Sequence, residues 1–354
     1  MVDQPTIPGP SVLIDGRLIG PDQPPWIVAE VSANHLGSLE RALAIVEAAA
    51  AAGCDAVKLQ TFTPDGMTLD VGGKGFDIDD GPWAGRRLHD LYAEACTPWE
   101  WHAALFARGR ALGLTVFSTP FDPTAVARLE TLAAPVYKIA SFELGDLELI
   151  AAAAATGKPV IMSTGMASEL EIAEGVSTAR DAGAAAVVVL HCVSGYPTPP
   201  ADANLRRLDA LARHGLVGLS DHTPGSTVAI AAVARGACMI EKHLTLSRAD
   251  GGPDAGFSLE PDEMAEVVRG CRTAWSALGD GSQRRPKSED SSRPFRRSLY
   301  AVADIAPGEA ITSANVRAIR PGFGLAPREL RSLIGRRARV AIGRGTPLAW
   351  ELVA

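Results

Sequence analysis

LVGLSDHTPGSTVAIAAVARGACMIEKH, residues 216–243, reads as a strand, a helix and a second strand. Leu216 to Ser220 and Met239 to His243 are short apolar runs, the segment between them is rich in alanine, and Gly236 offers the left-handed turn that ends a helix. Each strand leads to a histidine: His222 in Gly218-Leu219-Ser220-Asp221-His222-Thr223, and His243 in Ile240-Glu241-Lys242-His243. If the two strands are neighbours in a parallel barrel, both imidazoles point at one spot above its rim, where they could hold a divalent metal with open positions for substrate. A lone histidine is more often structural. Most of the other expected strands also end in a polar or charged residue, and that pattern favours an enzyme.

Six further runs have the same character: Trp26 to Glu30, Ala56 to Gln60, Thr115 to Ser118, Val136 to Ile139, Pro159 to Ser163 and Ala186 to Cys192. Helical periodicity fills the gaps, and Gly53, Gly113, Gly157, Gly183 and Gly215 punctuate them as Gly236 does. Ser38 is placed to cap a helix running through Ala42, Ile45 and Val46 to Ala52, and Pro98 to open one carrying Trp101, Leu105 and Leu112. Repeated strand-helix units imply a parallel sheet, and eight of them closing on themselves imply an α/β fold of the TIM (β/α)8 type, with its site at the carboxyl ends of the strands. An open doubly wound sheet is the competitor, but no glycine-rich dinucleotide fingerprint follows the first strand.

The 354 residues accommodate a barrel of about 250 plus an appendage. Residues 1–280 are assigned to the barrel, 281–297 to a linker rich in charge, serine and proline, and 298–354 to a small second domain. Strand-like pieces at Leu299 to Val302 and Arg339 to Ile342, with Pro307-Gly308 and Pro321-Gly322 turns, make that domain β-rich by expectation. Between the second and third barrel strands, Thr61 to Thr97 interrupts the rhythm and is expected to be a lid.

Hydrophobic residues make up 47% of the chain and charged ones 21%, which excludes wholesale disorder. A net charge of -7 argues against a nucleic-acid partner, so an anionic ligand must be met by local lysines. Cys54, Cys96, Cys192, Cys238 and Cys271 form no Cys-x-x-Cys pair and read as reduced, buried thiols. Met1 to Pro5 show neither a basic leader nor an apolar stretch, and no apolar run approaches the ~20 residues needed to cross a bilayer. A cytoplasmic protein without a membrane partner is expected.

Taken in order, Ala29-Glu30-Val31-Ser32-Ala33-Asn34-His35, Val57-Lys58-Leu59-Gln60-Thr61, Lys138-Ile139-Ala140-Ser141-Phe142-Glu143, Ser163-Thr164-Gly165-Met166, Ser194-Gly195-Tyr196-Pro197-Thr198-Pro199 and the two histidine motifs resemble the sialic acid synthase family over nearly the whole chain. The tail, with Ser298-Leu299, Asp304-Ile305, Pro307-Gly308 and Arg320-Pro321-Gly322, resembles that family's antifreeze-like (SAF) domain.

The resemblance implies a transferase that condenses phosphoenolpyruvate with an open-chain amino-sugar aldehyde. His222 and His243 would carry a divalent metal, Mn or Mg, as Lewis acid for the aldehyde oxygen. Glu30 would stabilise positive character at carbon 2 or position water, and Lys58, Lys138, Ser141, Ser163 and Ser220 match the family's anion-binding positions. Gln60, Glu143, Ser194, Tyr196 and Asp254 match the substrate side. Arg320 matches the tail arginine that reaches the other subunit's site in a domain-swapped homodimer. Singly, such a lysine can serve a solvated rim, such a serine a turn, and such an arginine a surface loop.

Within the family, Lys58 to Thr68, Trp83-Ala84-Gly85 and Leu91 to His102 most resemble the pseudaminic branch, whose acceptor is 2,4-diacetamido-2,4,6-trideoxy-altrose. Trp83, Met67 and Phe257 would suit its extra methyl surface. Val193, where threonine is common, and Gly66, where that branch carries a bulkier polar residue, depart from the pattern, so N-acetylneuraminate or legionaminate synthesis stands as the alternative. A Schiff-base aldolase working through Lys58 or Lys138 is a more distant rival. A non-enzymatic tail module that binds a ligand or ice, carried on the barrel as scaffold, is the last.

Overall fold

The computed structural model of the chain describes residues 11–283 and 285–354. Met1 to Pro5, read above for a leader, and Arg284 of the expected linker therefore lie outside the described residues. The chain divides into two units, Met1–Gly279 and Asp280–Ala354.

The first unit opens with an antiparallel hairpin, β1 (Val12–Ile14) and β2 (Arg17–Ile19). Eight parallel strands follow and close on themselves: β3 (Trp26–Glu30), β4 (Ala56–Thr61), β5 (Thr115–Pro120), β6 (Tyr137–Ile139), β7 (Val160–Ser163), β8 (Val187–Cys192), β9 (Leu216–Ser220) and β10 (Met239–His243). Closure comes from β10 lying beside β3, with His243 opposite Glu30 in the register. All eight expected strands are present. Val136, Pro159 and Ala186 fall one residue short of the strands they were expected to begin, and β5 runs two residues further than expected, to Pro120.

Alternate side chains of a strand face opposite ways, and in a barrel ringed by helices both faces are buried. The outward set, including Ile27, Val57, Val116, Ile139, Met162, Val189, Leu219 and Ile240, packs into one large core with the helices. Of these helices, α1 (Leu39–Ala52) is capped by the Ser38 hydroxyl, which accepts from the Arg41 N–H, and ends at Gly53 with φ 85°. Two short helices, α2 (Pro64–Met67) and α3 (Leu88–Ala95), sit within the 61–97 excursion, which is therefore partly helical. Then come α4 (Trp99–Ala111), which Pro98 precedes as expected, α5 (Pro123–Glu130), α6 (Leu147–Ala154), α7 (Glu169–Asp181), α8 (Arg207–Leu211), α9 (Thr227–Ala234) and α10 (Pro261–Leu278).

The inward set is graded along the barrel axis. At the amino ends of the strands Trp26, Val28, Phe117, Val136, Ile161, Val188 and Met239 form a second apolar cluster, which Val12, Ile14 and Ile19 of the hairpin complete. The hairpin is thus a floor that plugs one mouth. Asp55 fastens it, pairing with Arg17 of β2 and with Arg272 of α10 at 2.9 Å while accepting the Ile27 N–H at 2.8 Å. Strands of three residues are too short to show a period of two, so this floor is not legible in the sequence. At the carboxyl ends the inward positions turn polar.

The second unit has its own core of Leu299, Ile305, Ile311, Val316, Leu333, Ile342 and Leu348. Strand β11 (Ser298–Ala301) pairs antiparallel with β12 (Val316–Ile319), and one short helix, α11 (Leu330–Leu333), follows. Arg339 to Ile342 is not a strand, which corrects the expectation. Its only ladder contact among the described residues is a single bridge from Ile342 to Ile305, because the Gly343 to Gly345 turn follows at once. The expected linker carries an exposed 3-10 helix, Lys287–Phe295. Among the described residues no helix is long and apolar enough to cross a membrane.

Candidate active site

A cavity of about 420 Å3 opens at the carboxyl ends of the barrel strands. Its walls include Lys58, Gln60, Lys138, Ser141, Glu143, Ser163, Tyr196, Ser220, His222, His243 and Asp254, which the sequence had nominated from seven separate segments. Topology explains the convergence: the inward positions at the strand ends stack into one layer, and the segments that follow β6, β8, β9 and β10 add Ser141, Glu143, Tyr196, His222 and Asp254 at the same mouth.

The innermost layer is ionic. Lys58 pairs with Glu30, donates to Thr119 Oγ1 at 3.0 Å and lies 3.6 Å from Glu241 Oε1. Lys138 donates to Ser163 Oγ at 2.7 Å and lies 3.7 Å from the same Glu241 oxygen, which also accepts from Ser220 Oγ at 3.3 Å. Burial would push Glu241 up, but Lys138 and Lys58 outweigh it and hold the carboxyl below its ordinary value, so it is an anion. For Lys58 burial is likewise overcome, by Glu241 and Glu30, and its ammonium is strengthened. Lys138 goes the other way: burial pulls it down against the charge of Glu241.

Glu30 is fully buried and does not line the cavity. It sits behind Lys58, accepts the Ser32 N–H at 2.9 Å, and is raised by burial against the pull of Lys58. Of the two carboxylates beside Lys58, Glu241 lines the cavity and Glu30 does not. The sequence carries a signal for Glu241. With His243 facing inward, a period of two turns Glu241 inward as well.

Further out, Ser194 lies behind Ser141, hydrogen-bonded at 2.8 Å, and does not line the cavity. Gln60 donates to Ser32 Oγ at 3.0 Å, and Ser32 bonds Asp254, which also accepts the Ala33 N–H at 3.2 Å. Ser32, part of the Ala29 to His35 motif but assigned no role from the sequence, is held at φ 45°, a left-handed backbone unusual outside glycine. Burial lifts the Glu143 carboxyl to about 7, and its Oε2 is buried without a hydrogen-bond partner. The 61–97 excursion contributes Met67, Ile78, Trp83, Leu88, Leu91 and Tyr92 to the walls. Trp83 Nε1 donates to Pro253 O at 2.8 Å, and its ring lies 5.7 Å from that of Tyr196.

His222 and His243 stand with ring centroids 5.4 Å apart. His222 Nδ1 lies 2.9 Å from the Val193 carbonyl and donates to it, which leaves Nε2 as the ring atom an ion would take. His243 is held neutral, its value well below normal because of burial and then the charge of His222, and its Nδ1 is buried with no partner. A neutral, unpartnered imidazole beside a second one fits a divalent ion. At His222 burial acts downward but the Cys192 sulfur outweighs it and favours a proton, so an ion there would compete with that proton. A second cluster in the 61–97 excursion joins the exposed Asp70 and Asp90 to a half-buried His89, and Arg87 bonds both aspartates. Arg320 is exposed in the second unit, at the end of β12.

The chain matches the NeuB family over residues 45–283 and the SAF domain over 296–354. It is 42% identical over 330 residues to the pseudaminic acid synthase of Helicobacter pylori, covering 92% of this chain and 97% of that one. The chain belongs to the NeuB family. Another relative in this family, the N,N'-diacetyllegionaminic acid synthase of Legionella pneumophila, is 34% identical over 92% of this chain and 94% of its own. Among solved structures, the N-acetylneuraminic acid synthetase of Leptospira borgpetersenii superposes with a TM-score of 0.72 at 31% identity, covering 80% of this chain and 95% of that chain.

Proposed function

We propose that the chain is a pseudaminic acid synthase, an enzyme that joins phosphoenolpyruvate to 2,4-diacetamido-2,4,6-trideoxy-altrose, with water, to give pseudaminic acid and inorganic phosphate. The observation that carries it is the 42% identity to a pseudaminic acid synthase across 92% of the chain, against 34% for a legionaminic relative. The cavity agrees in character: a charged floor and a roof of Trp83, Met67, Ile78 and Phe257 suit a substrate pair that is anionic at one end and methyl-rich at the other.

In this reading Lys58 and Lys138, with Ser163 and Ser220, hold the phosphate and carboxylate of phosphoenolpyruvate. Carbon 3 bonds to the aldehyde carbon, and the electron pair of the carbonyl moves to its oxygen, which takes up a proton. Carbon 2 is left cationic; Glu241, an anion at this layer, stabilises it and orients the water that adds there. The added water gives up one proton to form a hemiketal phosphate, whose hydroxyl then loses the second as the carbon-oxygen bond to phosphate breaks, which releases inorganic phosphate and leaves the 2-keto acid. Glu30 keeps Lys58 charged and aligned from behind. Glu143, Gln60, Tyr196 and Asp254 face the sugar. When bound by His222 and His243, a divalent ion, with Mn2+ or Mg2+ proposed, supplies Lewis-acid polarisation of the aldehyde oxygen.

The test is a panel of amino sugars assayed for phosphate release from phosphoenolpyruvate. The diacetamido-trideoxy-altrose should be turned over fastest, and a chelator should stop the reaction. Preference for N-acetylmannosamine or the legionaminic precursor would sink the assignment within the family, and borohydride trapping of a pyruvate adduct on Lys58 or Lys138 would sink the condensation itself. A domain-swapped homodimer in which Arg320 serves the partner's cavity is proposed on the resemblance alone. Mixing His222→Ala with Arg320→Ala protein should restore activity through hybrid dimers, and no recovery under proven subunit exchange would end that proposal.

A further inference from the structure

Between the two histidine-bearing strand ends lies a buried ion pair that the proposed chemistry does not use. Lys242 Nζ donates to Asp221 Oδ2 at 2.8 Å and to the Thr223 carbonyl at 2.7 Å, and Asp221 Oδ1 accepts the Thr223 N–H at 2.9 Å. The two side chains are 1% and 2% exposed, and neither lines the cavity. Asp221 and Thr223 flank His222, and Lys242 immediately precedes His243. The turn around His222 is tied down further by Thr198 N–H to the His222 carbonyl at 3.0 Å and by Asp221 N–H to the Glu241 carbonyl at 2.9 Å.

A pair this deeply buried is a weak source of stability, because the cost of removing both charges from water offsets most of their attraction, and apolar residues of similar volume often serve as well. What ions do that apolar residues cannot is fix one register, through directional bonds with little tolerance in distance. Here both Lys242 bonds run from the residue next to His243 to the His222 turn, and the Asp221 bond to the Thr223 N–H braces the turn itself. We propose that Asp221 and Lys242 form a positioning clamp that sets the separation of the two imidazoles and keeps their metal site preorganised. The inference rests on the reading of those histidines as metal ligands. It concerns residues that touch neither ion nor substrate.

The experiment measures Mn2+ binding to chelator-stripped full-length protein by calorimetry, alongside thermal unfolding, for the parent, Asp221→Asn and the double replacement Asp221→Leu/Lys242→Met. The double variant should unfold no earlier than the parent yet bind Mn2+ about tenfold to a hundredfold more weakly, the size of effect typical of residues that orient metal ligands. Asp221→Asn, which sets an amide N–H or a neutral oxygen against the ammonium, should weaken Mn2+ binding in the same direction and decides the matter if the double variant does not fold. Parent-like affinity in a folded variant overturns the clamp and leaves the histidine reading standing, whether or not stability falls. If the parent binds no Mn2+, or binds it equally well as His222→Ala and His243→Ala, the histidine reading fails and takes the clamp with it.

Discussion

Glu143 carries a charge problem that the fold has not removed. Its folded-state value of about 7 lies above the ordinary 4.5, with burial as the main cause. Between those two pH values the unfolded chain has released the proton and the folded chain still holds it, so stability falls as pH rises through this window and is level above it. Replacing Glu143 with glutamine removes the penalty: the variant should match the parent near pH 4 and exceed it near pH 8 by up to about 3 kcal/mol. Denaturant titrations at the two pH values read this directly; a gain equal at both would contradict it. The residues nominated from the sequence were legible because polarity at the end of an apolar run needs a reason. What stayed hidden was depth. Glu30 and Glu241 are both inward-facing acids at strand ends, and only the side-chain contacts show that one stands behind a lysine while the other faces the cavity.

At the scale of elements, β9 shows how close the strands lie. A Cβ on Gly218 would stand 2.5 Å from the Met239 carbonyl oxygen and 2.6 Å from Leu190 Cδ2, with backbone on one side. Gly218→Ala should therefore cost about 1–3 kcal/mol by overpacking and, by tilting the strand that presents Ser220 and His222, lower turnover more than stability alone explains. Unfolding midpoints measured beside kcat separate the two effects. The 61–97 excursion is held to the rest by the Trp83 indole N–H on Pro253. Trp83→Phe keeps a ring and loses that bond, about 1 kcal/mol net, so proteolytic cutting between Leu69 and Arg87 should quicken roughly fivefold. Equal cutting rates would show that the indole bond does not fasten the lid. Strands and long helices were legible because their periods repeat over several residues. The hairpin, β12 and α2 were not, since three- and four-residue pieces carry too few repeats to show a period.

At the scale of the molecule the barrel is layered along its axis, from the apolar hairpin floor through the ionic layer to the aromatic roof. Ile14 is 1% exposed within that floor, and Ile14→Ala should cost about 2–5 kcal/mol without altering kinetic constants at a temperature where both proteins are folded. A change in KM for phosphoenolpyruvate would mean that floor and ionic layer are coupled. The closed sheet followed from counting eight strand-helix repeats; its stopper did not, because nothing in a repeat says how its first turn is sealed. A stoppered vessel has a single doorway. Two reactants must pass through it and two products must return by the same route, so traffic has to be ordered: what sits deepest enters first and leaves last. Product-inhibition kinetics should therefore show phosphate, which departs from the lysines of the ionic layer, competing with phosphoenolpyruvate for the free enzyme, whereas the nine-carbon acid, nearer the threshold, leaves ahead of it.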